Sequence, residues 1–301
     1  MIGALTTLYW EMQQELCMPL ARRNISSIVA FVLLALYALA SCYPFLWMIS
    51  AALKSNQEVL ISRSLIPQVL RFDILTETWN KLEFWTYFVN STVITLCSVV
   101  GIVFIYSLAG YGFAKTHFWG RDALFLGFVA LLLIPSVTVL IPLVQLLRSL
   151  GFIGREATQF STYSGVVLPI INGAGPLALF LFRNFFREMP HDLHDAARVD
   201  GCSEAGIYAR IYLPLATPVI ATVSILNIIG VWNAFIWPSI VINKDAWFTL
   251  PLKLKDLDLQ LVTQWNVRMA GSLITLVPVI IVFLLLQRYY IRGLTAGAIK
   301  G

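Results

Sequence analysis

Six long stretches of the chain contain no Asp, Glu, Lys or Arg, and they constrain its fold more than any other feature. A helix needs about 20 apolar residues to cross a lipid bilayer. Of the 301 residues, 58% are hydrophobic and 12% are charged, whereas about 25% of the residues in a soluble domain are charged. The sequence therefore predicts an all-α, polytopic membrane protein with six transmembrane helices. They lie at about 27–53, 86–114, 123–147, 157–182, 211–243 and 269–287.

Nine of the thirteen prolines fall inside these six stretches. A spanning helix tolerates proline where neighbouring helices or a cavity satisfy the freed backbone carbonyls. So many prolines indicate kinked helices around a central pathway, and ordinary packing of a helix bundle is the alternative interpretation.

The distribution of basic residues does not decide which way the chain crosses the membrane. Cytoplasmic loops usually carry an excess of Lys and Arg. Here the side that holds both tails carries eleven of them and the opposite side carries ten. The first side comprises 1–26, 115–122, 183–210 and 288–301, and the second comprises 54–85, 148–156 and 244–268.

The sequence lacks the residues that several classes of membrane protein require. The phosphate-binding pattern G-x-x-x-x-G-K-[ST] is absent, so we expect no ATP hydrolysis by this chain. The spacing of His191 and His194 is more typical of a polar loop than of a metal site. Ion-driven carriers usually keep ionisable side chains within their spans, and the six stretches have none. We expect no cofactor, metal or catalytic site, and either passive transport or an energy source outside the chain.

We attribute the net charge of +5 to Lys and Arg near the ends of the spans, which set the topology and contact lipid headgroups. We do not attribute it to binding of nucleic acid. No pair among the four cysteines has metal or redox-motif spacing, and nothing indicates a disulfide framework.

A short charged segment at 190–214 interrupts the apolar pattern. Leu193, Ala196, Ala197 and Asp200 follow the spacing of one helical face. Gly201 stands where a helix commonly ends in a left-handed residue, and a serine two residues later is a typical helix N-cap. The pattern predicts a helix, a tight turn and a second helix. A solvated amphipathic connector is the alternative.

This segment resembles the EAA loop of binding-protein-dependent ABC transporter permeases. Asp195-Ala196-Ala197, Gly201, Ile211 and Leu213-Pro214 fall at the spacing of that motif, with Asp195 in place of the usual Glu.

Other stretches are similar to maltose-type sugar permeases, and in particular to the second permease subunit of the pair. They are Ser107–Lys115, Trp232–Phe235, Thr249–Leu252 and the glycine-rich tail Gln287–Gly301.

The resemblance implies a subunit of an importer in the cytoplasmic membrane. A second permease subunit completes a heterodimer, an extracytoplasmic sugar-binding protein delivers the solute, and two cytoplasmic ATPase subunits drive transport. It divides the chain into a cytoplasmic tail 1–26, a permease domain 27–287 with a cytoplasmic coupling loop 183–210, and a cytoplasmic tail 288–301. The implied ATPase-coupling residues are Leu193, Asp195, Ala196, Ala197, Asp200, Gly201 and Glu204, with Arg292, Gly293 and Lys300 in the tail.

Sugar recognition needs aromatic faces and polar groups that pair with hydroxyls. The candidates along the substrate pathway are Asn90, Asn172, Asn227, Trp232, Asn233 and Trp237. Such residues also bond helix to helix or anchor a protein at the membrane interface. Import of a polyol or a phosphorylated glycerol is an alternative within the same superfamily, and a passive channel or an ion-coupled carrier is an alternative from another class.

Overall fold

The computed structural model describes residues 20–81, 83–260 and 264–298, and it describes the backbone alone for 20–26, 257–260 and 286–298. Within these ranges the chain is predominantly helical and contains no strand, which confirms the predicted all-α class. The helices are α1 Leu20–Ala52, α2 Asn56–Ile61, α3 Asp73–Lys81, α4 Phe84–Lys115, α5 Arg121–Ala130, α6 Leu140–Ser149, α7 Gln159–Glu188, α8 Asp192–Val199, α9 Glu204–Leu215, α10 Thr217–Trp232, α11 Ile236–Val241, α12 Leu250–Gln260 and α13 Trp265–Ala298.

Four of these helices are long and apolar enough to cross a membrane without a break. They are α1, α4, α7 and α13. Two bent helix pairs bring the number of spans to six when each pair is counted as one span, and these pairs coincide with the third and fifth predicted stretches. The chain is therefore a multi-pass membrane protein.

The predicted third span, 123–147, is not one straight helix. It consists of two helical halves, Arg121–Leu133 and Ser136–Ser149, which meet at an angle of 94°. Pro135 lies at the break with an extended backbone, ψ 127°. Proline cannot donate a backbone hydrogen bond, and it disfavours the helical conformation of the residue before it. The span therefore turns sharply at this point.

The predicted fifth span, 211–243, is also bent, and the pair of helices that forms it runs from Glu204 to Trp232. The helix α9 continues to Leu215 and then bends by 73° into α10. Pro218 lies in the first turn of α10, where its missing N–H group costs no hydrogen bond. α10 ends at Trp232, and the remainder of the stretch forms the separate short helix α11.

The main core is formed where α4 crosses α7. Phe182 and Phe186 of α7 are completely buried there, together with Tyr212 of α9. Gly110 of α4 allows the approach, since an ideal Cβ at this position would lie 2.5 Å from the Cβ of Phe182 and 3.0 Å from the backbone nitrogen of Arg183. Small residues serve this purpose widely in membrane helices, because close packing replaces the hydrophobic driving force that lipid removes.

We expect Gly110→Ala to destabilise the fold by separating α4 from α7. Overpacking a tight contact costs about 1–3 kcal/mol, which exceeds the helix-propensity gain of alanine over glycine, about 1 kcal/mol. Gly112→Ala is the matched control, because an ideal Cβ on Gly112 meets no atom within 4 Å. Thermal unfolding of the two variants in detergent measures the difference. Equal stability of both variants would contradict the assigned contact.

Candidate functional site

The charged segment folds as the predicted helix, turn and helix. α8 ends in a Schellman motif, in which the backbone N–H of Cys202 donates to the carbonyl of Ala197 and that of Gly201 donates to Arg198, both at 3.0 Å. Ser203 then caps α9, because its hydroxyl accepts a hydrogen bond from the backbone nitrogen of Gly206 at 3.2 Å. The turn is thus held by hydrogen bonds between its own residues.

Gly201 has a left-handed backbone with φ +80°, as the sequence predicted. An added Cβ would meet no atom within 4 Å. The requirement for glycine is therefore conformational and not steric, because L-residues other than glycine, asparagine and aspartate avoid this region.

One face of α8 is turned towards the chain's own core. Ala197 is only 5% exposed and packs in the main cluster with Phe186 and Tyr212, and His194 is buried beside it. The prediction that Ala197 shares an outward docking surface with Leu193 is therefore wrong. Periodicity placed Leu193 and Ala197 on one side of the helix. It did not reveal that Ala197 faces the core while Leu193 is exposed.

Glu204 binds within the chain. Its carboxylate lies 2.7 Å from Nη2 of Arg198, accepts a hydrogen bond from the hydroxyl of Tyr111 at 3.0 Å, and lies 3.5 Å from Nε2 of His194. The Glu204 side chain remains 44% exposed, so its assignment to ATPase coupling stays a prediction. The carboxylate joins α8, α9 and α4 at one point.

Three further contacts between α4 and its neighbours complete this attachment. The hydroxyls of Ser107 and Tyr208 lie 2.7 Å apart, and Nζ of Lys115 donates to the carbonyl of Met189 at 2.7 Å. The rings of Tyr111 and Tyr212 pack at 5.1 Å between centroids. Residue-by-residue analysis did not assign roles to these positions. The signal was present in the motif 107–115, which contains Ser107, Tyr111 and Lys115.

The outward face of the segment carries the remaining predicted residues. Leu193, Asp195, Ala196 and Asp200 are all exposed. Val199, which the sequence analysis did not single out, is 88% exposed and is the most exposed apolar side chain of α8. Within the described residues, Asp195 and Asp200 make no ion pair. The segment thus presents apolar groups flanked by free carboxylates.

The predicted tail contacts fall at the edge of the described structure. Arg292 and Gly293 lie in α13, which runs past the predicted span end at 287, and only their backbone is described. Lys300 lies outside the described residues.

The predicted pathway residues do not converge on one place. Asn90 is buried, and its amide donates to the carbonyls of Ala246 and Phe248, both at 3.0 Å. Its amide nitrogen thus holds a loop, and its assignment to the substrate pathway stays a prediction. Asn227 and Asn233 donate to carbonyls one turn earlier in α10, at 2.8 and 2.9 Å.

The remaining pathway candidates are similarly dispersed. Trp232 and Asn233 line a cavity of about 350 Å³ between α10, α1 and α13. Trp237 packs in a different cluster with Val241, and Asn172 is exposed on α7. Trp232 belongs mainly to the core, since only 8% of it is exposed.

The loop after α11 is fixed to the start of α4 at the end opposite the charged segment 190–214. Asp245 accepts hydrogen bonds from the hydroxyl of Tyr87 at 2.8 Å and from Nζ of Lys253 at 2.9 Å. Burial alone would raise the pKa of Asp245, but the hydrogen bonds from Lys253 and Tyr87 outweigh it and hold the pKa below its ordinary value. The loop is therefore a rigid part of the fold.

Comparison with known proteins identifies a family and several relatives for this chain. Residues 101–296 match the family described as binding-protein-dependent transport system inner membrane component. The chain is 36% identical to the arabinooligosaccharides transport system permease protein AraQ of Halalkalibacterium halodurans, over 93% of this chain and 100% of that protein. It is 31% identical to the galactooligosaccharides transport system permease protein GanQ of Bacillus subtilis, over 93% and 98%.

A solved structure shares the fold. The crystal structure of a bacterial ABC transporter involved in the import of the acidic polysaccharide alginate contains a chain with a TM-score of 0.74 and 26% identity. The match covers 89% of this chain and 97% of that one. The family comprises membrane components of transport systems and not catalytic enzymes. The chain belongs to the family of binding-protein-dependent transport system inner membrane components.

Proposed function

We propose that this chain is the permease subunit of an ATP-driven importer of an oligosaccharide, and that residues 183–215 transmit the work of a cytoplasmic ATPase to the spans. The observation that carries the proposal is the attachment of a rigid helix–turn–helix to α4 through Glu204, Tyr111 and Tyr208. A passive channel has no use for such a connector. The names of the oligosaccharide permeases among its relatives support the substrate class over a polyol or a phosphorylated glycerol.

The ATPase subunits dock on the outward face of α8. This face offers Leu193, Ala196 and the exposed Val199, with Asp195 and Asp200 at its margins. Burial of apolar area stabilises such a contact by about 25 cal/mol per Å², whereas an exposed ion pair contributes about 0–1 kcal/mol. Shape and apolar contact therefore dominate the docking, and the carboxylates adjust its orientation. On this assignment both termini and the coupling segment are cytoplasmic.

The other partners occupy other surfaces. α1 buries none of its most apolar window within the chain, which leaves it available to lipid and to a second permease subunit in a heterodimer. The extracytoplasmic sugar-binding protein approaches the loops at 54–83 and 244–260. Because the interactions of Tyr87, Asn90 and Lys253 fix the second loop, the binding protein meets a preformed surface there.

We expect Gly201→Val to uncouple ATP hydrolysis from uptake. A side chain in the left-handed region costs about 1–2 kcal/mol, and each 1.4 kcal/mol shifts the population of the native turn about tenfold. Hydrolysis and uptake by the reconstituted transporter are measured together, and uptake per ATP should fall. Gly201→Asn is the control, because asparagine tolerates this conformation. Unchanged uptake per ATP in the valine variant would contradict a role for the turn.

We expect Val199→Asp to weaken association with the ATPase subunit about a hundredfold, because an unpaired carboxylate buried in an interface costs several kcal/mol. Pull-down of the ATPase subunit and its titration onto the permease measure the change. Val69→Asp is the matched control, since Val69 is exposed in the loop at the opposite end of the bundle. If both variants bind the ATPase normally, the docking face lies elsewhere.

The orientation is tested with the native thiol of Cys202, which is exposed in the coupling turn. A membrane-impermeant maleimide should label it in inside-out vesicles and leave it unlabelled in sealed right-side-out vesicles. Cys202→Ser supplies the background from the other cysteines. Labelling from the outside alone would reverse the proposed topology.

A further inference from the structure

A second polar feature lies at the membrane face opposite the coupling segment. A cavity of about 540 Å³ opens there between the end of α6, the start of α7 and the loop after α11. Its lining includes Arg148, Arg155, Lys244, Thr162 and Trp247. Because α7 leads from this cavity to α8, and its 30 residues span about 45 Å, the cavity and the coupling segment lie on opposite sides of the bilayer.

The lining of this cavity is basic, although Glu156 and Asp245 follow Arg155 and Lys244 in the chain. The lining has three basic side chains and no Asp or Glu, and in the described residues none of the three forms an ion pair. Nζ of Lys244 lies 4.1 Å from the centroid of the Trp247 ring. Like charges that converge on a partly enclosed cavity repel each other and focus a positive potential. An anionic group would relieve this repulsion.

An apolar cavity adjoins the same turns of α7. It has a volume of about 650 Å³ and is lined by residues of α4 and α7 that include Cys97, Tyr163 and Leu168. Thr162 lines the basic cavity, and the next residue, Tyr163, lines the apolar one. With a rise of about 1.5 Å per residue, Leu168 lies about 9 Å deeper along α7 than Thr162. The apolar cavity also includes Thr158 and Gln159 at the start of α7, so it begins at the depth of the basic cavity and extends further into the membrane.

We propose that these two cavities hold one anionic phospholipid, with its phosphate among Arg148, Arg155 and Lys244 and an acyl chain along the apolar cavity. Trp247 marks the level of the headgroups, where tryptophan is enriched in membrane proteins. A sugar acid or an acidic side chain of a protein would occupy the basic cavity and leave the apolar one empty. Only a lipid uses both, and the proposal does not depend on which sugar is carried or on which face is cytoplasmic.

The test compares lipid binding by the full-length chain, purified in detergent with its bound subunits. Dioleoyl phosphatidylglycerol, dioleoyl phosphatidylcholine, dihexanoyl phosphatidylglycerol and soluble glycerol phosphate are titrated while thermal unfolding is followed. Dioleoyl phosphatidylglycerol should raise the midpoint at the lowest concentration. The short-chain lipid should bind more weakly, because it leaves the apolar cavity unfilled, and glycerol phosphate should bind most weakly.

Substitutions assign the effect to the cavity. Each of Arg148→Gln, Arg155→Gln and Lys244→Gln should weaken binding of dioleoyl phosphatidylglycerol about fivefold, and the triple variant about a hundredfold, following the contribution of a basic residue near an anionic membrane. The control is the triple variant R63Q, K81Q and K255Q, which removes equal charge from the same end of the bundle outside the cavity.

Three results would overturn the proposal. The first is equal lipid affinity in the two triple variants, since the lipid would then bind elsewhere. The second is binding of glycerol phosphate as tight as that of the long-chain lipid, which would indicate a site for soluble phosphates. The third is displacement of the lipid by an acidic disaccharide such as digalacturonate, which would indicate a saccharide site. None of these results depends on coupling to an ATPase.

Discussion

The contact between α4 and α7 at Gly110 is the interaction on which the rest of the structure depends. In a bilayer, neighbouring apolar helices gain little by leaving the lipid, so their association depends on close packing and on interhelical hydrogen bonds. Gly110 brings the two backbones together beside Phe182. The next residue of α4, Tyr111, donates to Glu204, and Lys115, one turn beyond it, donates to the carbonyl of Met189. The spans α4 and α7, which pack against each other at Gly110, are therefore also the two spans that hold residues 183–215.

A carboxylate network lies at each of the two ends of this helix pair. At one end Glu204 contacts Tyr111, His194 and Arg198. At the other end Asp245 accepts hydrogen bonds from Tyr87 and Lys253. Between them α4 and α7 meet mainly through apolar and aromatic groups. Each loop is therefore positioned by a carboxylate, while the span between them keeps the dehydrated surface that a membrane requires.

Much of the architecture could be predicted from the sequence. Charge-free stretches indicate the spans, and Gly201 indicates the end of a helix, because both depend only on residues close together in the chain. The rest depends on tertiary contacts. Periodicity placed Ala197 on a face but did not show that Phe186 and Tyr212 cover it. Asn90 has the chemistry of a sugar ligand, yet a loop 156 residues away occupies its amide. The break at Pro135 was one of nine plausible proline sites, and the sequence did not show that the chain turns by 94° at this one.

The bend of 73° between α9 and α10 has a mechanical consequence. α9 is about 18 Å long from Glu204 to Leu215, and it meets the span at a corner, so it acts as a lever arm. A shift of about 2 Å at Glu204, which is hydrogen-bonded to Tyr111 of α4, would swing α9 by about 6° around Ala216. The swing of α9 would rotate α10. A small displacement at the membrane surface would therefore become an angular change of the spanning helix.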